Sequence, residues 1–485
     1  MFFSQIPTAV ISILPLLIIA PILASFIKYT KWQFVLIVIM TLFIVTELVS
    51  IYFSGGFIDY QFFVNLNLRD IIAGLAIFKL QAALAILCFL VIVFVLMLIS
   101  KFLRCYGWYW LRLSLLVIGI ICLVQKEGPF SRLYEIYQVT MAQQKVFNQA
   151  IESLNMQGYV TKPALEAQKG KNIIVISLES FERGFMDMPG ITPNLSRLSQ
   201  QYTYFPDMKM GPGSSWTTAS MYTYMTGTPF LIGELNTSPL ANTAKIQLVS
   251  LGDILNKAGY QTEYVMGSPN FAGMGHIISL FGIEVISEAN YPGKYPAAPF
   301  GLYDHDIFEV AKTQLTKFRE NDKPFALFIS TVSTHAPNGF EDERMRSLIS
   351  PKADNMSFVA ASLDYNLGRF IQYLSDNHIL DNTVFYIFPD HLMMGAGTPI
   401  IATLSAHERS LYFMSNASTQ ALKKETQATL YQIDLPRLIL NGAQVKTNAT
   451  FLTDYIPADI DKLEYIKTHK AAIAQLNHSA EVVVK

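Results

Sequence analysis

Asp390 and His391 follow, after Pro389, on the apolar run Thr383-Val384-Phe385-Tyr386-Ile387-Phe388. A hard oxygen ligand and an imidazole therefore emerge together at the exit of a buried strand, where open α/β sheets place their chemistry. That makes the pair a candidate metal site. A second run, Ile173-Ile174-Val175-Ile176-Ser177, leads in the same way to Glu179, and Phe325 to Ile329 runs out towards His335. Three strand exits thus carry three potential ligands or acid/base groups. A further group comes from Gly211-Pro212-Gly213-Ser214-Ser215-Trp216-Thr217-Thr218, a Gly/Pro turn that opens a helix with Ser214 or Ser215 as its expected cap. A hydroxyl in that first turn lies where free backbone N–H groups and the helix dipole favour an anion. Thr217 can then act as a nucleophile towards phosphorus, provided that a metal or a base lowers its pKa. Singly, each residue has a plainer explanation in capping or solvation; their joint placement is what points to a site.

The elements that must position these groups read as α/β from residue 172 onward. Leu248, Leu251, Leu255 and Ala258 recur at helical spacing before Gly259, and Tyr260 to Met266 resumes a strand-like run. Val359, Leu363, Leu367, Phe370 and Leu374 mark a second amphipathic helix ahead of the strand that ends at Phe388. The expected fold is a central, mostly parallel sheet within residues 171–458. Residues 459–485 are polar and helix-compatible, a surface helix or frayed tail. Pro129 to Gln157 carries apolar residues at helical intervals, and residues 126–170 together form a juxtamembrane helix and linker.

The first 125 residues are of another kind. Over the 485 residues 51% are hydrophobic, too many for a purely soluble chain, and the excess lies before residue 126. Ile6 to Ile27, Trp32 to Phe53, Ala82 to Ser100 and Tyr109 to Val124 each approach the roughly 20 residues that a membrane span needs. Lys28 and Lys31 fall between the first two, and Lys101, Arg104 and Arg112 between or beside the last two, so both loops are expected inside. Four spans then place everything after about residue 125 outside the cytoplasmic membrane, with Trp108, Tyr109 and Trp110 as an interfacial belt. Gly55 to Lys79 carries Asp59, Arg69, Asp70 and Lys79 and reads as an outer loop or interfacial helix. Cys88, Cys105 and Cys122 all precede residue 126, so no disulfide framework is expected in the exported part. A net charge of −1 with no basic stripe argues against nucleic-acid binding.

In order along the chain, Asn172 to Ser180 (NIIVISLES), Thr192 to Leu198 (TPNLSRL), Gly213 to Ser220 (GSSWTTAS), Thr334 to Pro337 (THAP), Leu363 to Gly368 (LDYNLG) and Asp390-His391 resemble the sulfatase-like branch of the alkaline phosphatase superfamily. Within it they are similar to membrane phosphoglycerol transferases of osmoregulated periplasmic glucans, through Trp216-Thr217, Phe271-Ala272-Gly273, Gly301-Leu302-Tyr303-Asp304 and Asp390-His391-Leu392, and more distantly to lipoteichoic acid synthases and phosphoethanolamine transferases. The resemblance implies that Glu179, Thr217, Asp390 and His391 surround one divalent ion, with Thr217 as nucleophile and His335 beside the transferred group or the leaving oxygen. Trp216, Asp304 and Arg409 would join His335 in shaping the substrate pocket. An oxygen-rich set with one imidazole suits Mn²⁺ or Mg²⁺, and Zn²⁺ is compatible with it. The implied donor is phosphatidylglycerol and the implied acceptor an envelope glycan. A phosphoethanolamine transferase acting on lipid A or glycan, and a non-catalytic lipid- or glycan-binding module, are the alternatives. Around Met266 to His276 the chain departs from the lipoteichoic acid synthases by lacking their His and Trp-Asn-Arg pattern. Conventional sulfatases are disfavoured too, because no cysteine follows Cys122 and no Ser-x-Pro-x-Arg motif occurs.

Overall fold

The structure is a computed structural model describing residues 2–54, 58, 62, 71–72, 75, 78–105, 109–123, 133–134, 136–137, 147–231, 247–321, 323–394, 399–405, 409–422 and 429–478. It divides into two compact units, Met1–Gln138 with Met394–Ala402, and Val139–Met393 with Thr403–Lys485.

The first unit is helical, with helices Phe2–Phe26, Thr30–Ser54, Lys79–Cys105 and Tyr109–Leu123. Two stretches, Thr30–Tyr52 and Lys79–Cys105, are long and apolar enough to cross a membrane, while Ile13–Phe26 and Tyr109–Ile121 are shorter apolar helices. Four spans were expected from the sequence; two reach full length among the described residues. In Lys79–Cys105 the large side chains Leu87, Leu90, Phe94 and Leu98 are exposed, and Leu96 and Ser100 are buried. An outward apolar face of this kind belongs to a helix whose solvent is lipid, which makes this a membrane protein. The inward face is close-packed: Ala20, Ala24, Ile37 and Leu96 form one cluster, with small alanines letting the helices approach. Cations close the end of the first helix, where carbonyls lack intrahelical partners. Arg104 donates to Ile27 O, and Arg112 donates to Ser25 Oγ at 3.2 Å with its guanidinium 4.8 Å from the Phe26 ring centre. Of the expected aromatic belt, Tyr109 and Trp110 are exposed, while Trp108 and most of Gly55 to Lys79 lie outside the described residues.

Among the described residues the second unit has ten strands: β1 (Ala167–Gln168), β2 (Asn172–Leu178), β3 (Thr203–Lys209), β4 (Gln261–Val265), β5 (Glu284–Ile286), β6 (Phe325–Ser330), β7 (Thr383–Pro389), β8 (Leu411–Ser415), β9 (Leu430–Tyr431) and β10 (Lys446–Thr447). Eight of them form one sheet in the order β5-β4-β6-β2-β7-β8-β3-β9, and β1 pairs with β10. The run from β5 to β7 is parallel, as the unbroken apolar strands Ile173 to Ile176 and Val384 to Phe388 require when both faces are covered. β8 is antiparallel to both its neighbours, so the sheet is mixed. β2 and β7 run in register to their last residues, Leu178 opposite Pro389. Glu179 and Asp390 consequently leave the sheet side by side.

Two of the sequence segments singled out above are one structural contact. Asp364, in the helix Asn355–Asp376, accepts hydrogen bonds from Asn194 N, Asn194 Nδ2 and Leu195 N, capping the helix Pro193–Gln201 from outside its own chain segment. A Cβ at Gly368 would lie 2.4 Å from the Asn194 side chain, so only glycine lets the two helices meet there. Residues 462–478 form the helices Lys462–Thr468 and Lys470–His478, which bury Tyr465, Ile466, Ile473 and Leu476. The second of these packs on the helix Phe147–Ser153, and Asn477 accepts from Tyr222 and donates to Pro229 O and Leu231 O. This stretch is an integral buttress and not a tail.

One strand pairing opposes stability. Glu263 in β4 lies opposite Glu284 in β5, and Glu263 Oε2 is buried without a hydrogen-bond partner among the described residues. Burial first, and then the Glu284 charge, push the Glu263 carboxyl up to about 7. A native pKa above the unfolded value means that the folded state loses stability as pH rises from about 4.5 through about 7, with the full cost present above that. Glu263→Gln is therefore expected to raise stability at pH 8 by roughly 1–3 kcal/mol and to change it little at pH 4.5. Thermal unfolding of the detergent-solubilised chain at the two pH values checks this, and an equal effect at both would contradict it.

Candidate active site and metal centre

Each group of the site is delivered by the end of an element. β2 leads to Glu179, β7 to Asp390 and His391, and β6 through Thr331 to His335. Thr217 is the first residue of the helix Thr217–Thr226. That helix is capped by Trp216 and not by Ser214 or Ser215; no side chain occupies the cap, and Ser214 Oγ instead lies 3.0 Å from Thr223 Oγ1. The turn before it requires Gly213, whose φ is 71° and whose Cβ position lies 2.9 Å from Phe230 O. The first-turn N–H groups beside Thr217 form a setting that favours an anion.

The four groups converge. Thr217 Oγ1 donates to Glu179 Oε2 at 3.0 Å and lies 3.4 Å from His391 Nε2, which is itself 3.6 Å from both Glu179 Oε1 and Asp390 Oδ2. The carboxylates and the imidazole are buried. Ser180 joins them: its hydroxyl donates to Glu179 Oε1 at 2.7 Å, its amide donates to Asp390 Oδ1 at 2.7 Å, and its φ is 52°. A serine held in the left-handed region costs of order 1 kcal/mol, tolerated where surrounding bonds fix it. Thr331 and Thr334 hold the Glu179 backbone on either side, through Glu179 N to Thr331 Oγ1 and Thr334 Oγ1 to Glu179 O. His391 Nδ1 is 2.8 Å from Leu392 O, which fixes the tautomer with Nε2 facing the cluster. Gln432 donates from Nε2 to Asp390 O and reaches Ser220 Oγ at 3.4 Å, tying the β7 exit to the Thr217 helix.

These donors fit a single divalent cation. Ligand atoms of Glu179, Asp390 and His391 lie within 4.8 Å of one another, and Asp390 Oδ2 is buried with no hydrogen-bond partner among the described residues. An orphaned buried oxygen calls for a missing partner. The 3.0 to 3.6 Å separations within the cluster match donors sharing one small ion at bond lengths of about 2.1 Å. Electrostatics agree. Burial raises the Glu179 carboxyl, but His391, His335 and the hydroxyls of Ser180 and Thr217 outweigh it and leave it low. Asp390 is pushed up to about 7 by burial and by the Glu179 charge. Burial disfavours the His391 cation, yet Asp390 and Glu179 beside it carry its pKa upward. Two buried carboxylates side by side call for positive charge, and a divalent ion would supply it.

Glu179, Thr217 and His335 line a cavity together with Met221, Met266, Gly267, Ser268, Phe271, Met274, Phe300, Ser330, Thr331 and Val332. The His335 ring sits among Phe300, Phe340 and Phe271, at centroid distances of 4.9, 6.1 and 6.4 Å, and its Nδ1 is 2.8 Å from Ala336 O. The remaining expected residues lie outside this cavity. Trp216 is buried edge-on against Phe230. Asp304 is buried at the start of the helix Asp304–Phe318, where Oδ1 accepts from Val332 N and Ser333 N and so braces the loop that carries His335; burial raises its carboxyl to about 6. Arg409 is occupied by Glu182. Ser180, Glu182 and Gln432 are the residues that sequence reasoning missed. Glu182 alone left a trace, as a second acid three residues beyond Glu179 in an apolar setting.

Residues 171–445 match the family model described as Sulfatase. The chain is similar to phosphoglycerol transferase I of Xanthomonas campestris, at 28% identity over 52% of this chain and 38% of the relative, and to phosphoglycerol transferase I of Salmonella arizonae, at 31% over 49% and 33%. It thus spans only 38% and 33% of those curated relatives' length. Among solved structures it resembles the integral membrane lipooligosaccharide phosphoethanolamine transferase A of Neisseria meningitidis, with a TM-score of 0.52 and 13% identity over 89% of this chain and 88% of that one. It also resembles the lipoteichoic acid synthase LtaP of Listeria monocytogenes, with a TM-score of 0.50 and 20% identity over 64% and 80%. At these identities the structural likeness is one of fold.

Because the ion's ligands form one cluster only in the folded chain, binding must stabilise that state. Mn²⁺ at about one hundred times its dissociation constant is expected to add about 2.7 kcal/mol, seen as a higher Tm that a chelator reverses. In the double variant Asp390→Ala, His391→Ala the shift should vanish; its persistence would place the ion elsewhere.

Proposed function

The chain belongs to the sulfatase family, and from that premise we propose that it is a membrane-anchored transferase that moves phosphoglycerol from phosphatidylglycerol to an envelope glycan through a phosphothreonine at Thr217. One juxtaposition carries the proposal: the Thr217 hydroxyl meets Glu179 and His391 at the wall of the cavity that His335 also lines. The names of the curated relatives support the same transfer.

Glu179, Thr217, Asp390 and His391 would hold the ion, Mn²⁺ or Mg²⁺ by the donor set, with Zn²⁺ compatible. When bound, it would lower the pKa of the Thr217 hydroxyl and offset charge on the phosphoryl oxygens. The Thr217 proton passes along its hydrogen bond to Glu179 Oε2 as Oγ1 attacks phosphorus. The Oγ–P bond forms while the bond from phosphorus to the diacylglycerol oxygen breaks. His335, with Nδ1 held by Ala336 O, presents Nε2 to give a proton to that departing oxygen. In the second half the glycan hydroxyl gives its proton to Nε2 and attacks phosphorus, the Oγ1–P bond to Thr217 breaks, and the departing Oγ1 recovers its proton from Glu179. The first-turn N–H groups of the Thr217 helix favour the phosphate charge in both halves.

The cavity wall bears on the head group. Apart from Glu179, no carboxylate lines it among the described residues, and beside Met221, Met266, Phe271, Met274 and Phe300 the hydroxyls of Ser268, Ser330 and Thr331 are neutral polar contacts. An uncharged glycerol suits such a wall better than an ammonium ion, which would need a counter-charge.

Residues 1–125 would serve as a four-span anchor in the inner membrane, 126–170 as connector, 171–458 as the catalytic domain on the outer face, and 459–485 as its closing helical segment. An anchor of this kind keeps the site beside its lipid donor. Mass spectrometry of the chain after incubation with phosphatidylglycerol and phosphatidylethanolamine tests the assignment. A glycerol phosphate adduct on Thr217 is expected, and Thr217→Ala should abolish it and lower turnover by roughly 10³-fold or more. An ethanolamine phosphate adduct would move the donor to the other lipid. An adduct that survives Thr217→Ala would remove the nucleophile from the scheme.

A further inference from the structure

Glu182 is wholly buried, three residues past Glu179, and its carboxylate is saturated with donors. Met393 N donates to Oε2 at 2.8 Å, and Arg409 Nε reaches Oε1 at 2.9 Å and Oε2 at 3.1 Å. Arg409 Nη2 adds a further bond to Oε2 and another to Met393 O. The pair therefore grips residue 393 by both its amide and its carbonyl. Alongside it, Arg183 N donates to Ser410 O at 3.0 Å, so the segments leaving β2 and entering β8 are stitched together at the same level.

The gripped residue stands two places after His391. Between them is Leu392, whose carbonyl receives the Nδ1 hydrogen bond that aims His391 Nε2 into the cluster. From this chain of contacts we infer that Glu182 and Arg409 are positioning residues. They fix the peptide at 393, which fixes Leu392 O, which in turn sets the imidazole as a metal ligand. Arg409 then acts on the ion through the His391 turn and not on substrate. A guanidinium fork is the group suited to this task, because it holds a carboxylate and a carbonyl in one plane. The inference rests on the metal centre proposed above.

The test measures the Mn²⁺ dissociation constant of the full chain in detergent by titration calorimetry, together with Tm in chelator. Wild type is compared with Arg409→Ala, Arg409→Lys and Glu182→Gln. Partners that orient a metal ligand typically matter 10–100-fold for affinity, so Arg409→Ala is expected to weaken Mn²⁺ binding by about that factor. Arg409→Lys should fall between, keeping the charge but losing the fork, and Glu182→Gln should weaken binding while still accepting from Met393 N. A merely structural ion pair predicts otherwise: lower Tm in chelator for all three, with the dissociation constant unchanged. That result overturns the inference and leaves the metal centre standing. No Mn²⁺ binding by wild type overturns both. Should Arg409→Ala fail to fold, the same comparison is decided by Arg409→Lys and Glu182→Gln.

Discussion

Two carboxylates and an imidazole buried in one dry pocket are the constraint on which the rest of the structure turns. Glu179 and Asp390 leave adjacent strands whose register is kept to the last residue, so their proximity is fixed by the sheet and not by flexible loops. Charge of one sign held this way is costly unless something of opposite sign is shared. The surrounding hydrogen bonds are arranged to share it, through Ser180, through the Thr217 hydroxyl and through an imidazole whose far nitrogen is tied back to Leu392. The site is thus built to be completed by a cation.

Much of this was legible from residue order. Continuous apolar runs ending in acid or imidazole are strong signals because a buried parallel strand rarely holds an ionisable side chain, so the first such group after the run marks its exit. That logic located Glu179, Asp390, His391 and, through a short loop, His335. It also anticipated a mostly parallel sheet, and the antiparallel β8 that makes the sheet mixed gave no sign in composition. The helix start at Thr217 was foreseen, but its cap was assigned by residue preference to a serine, whereas both serines lie ahead of the cap position, which Trp216 occupies.

What escaped was the layer behind the ligands. Ser180 acts through a left-handed backbone that no local pattern demands, and Gln432 reaches the site from 42 residues beyond Asp390. Arg409 was visible as a charged residue near the right strand, but only three-dimensional contact reveals that a buried glutamate claims it. Likewise the segments at 192–198 and 363–368 stood out only through the family resemblance, and the helix cap that joins them across the fold is visible in neither one alone. Spacing along a chain finds elements and their ends; it is blind to partners distant in sequence.

The bond between Tyr222 and Asn477 joins residues 255 positions apart. The helix that begins at Thr217 therefore receives this support only after residue 477 has been synthesised. A chain shortened before Asn477 would lose the brace while keeping every residue of the cluster.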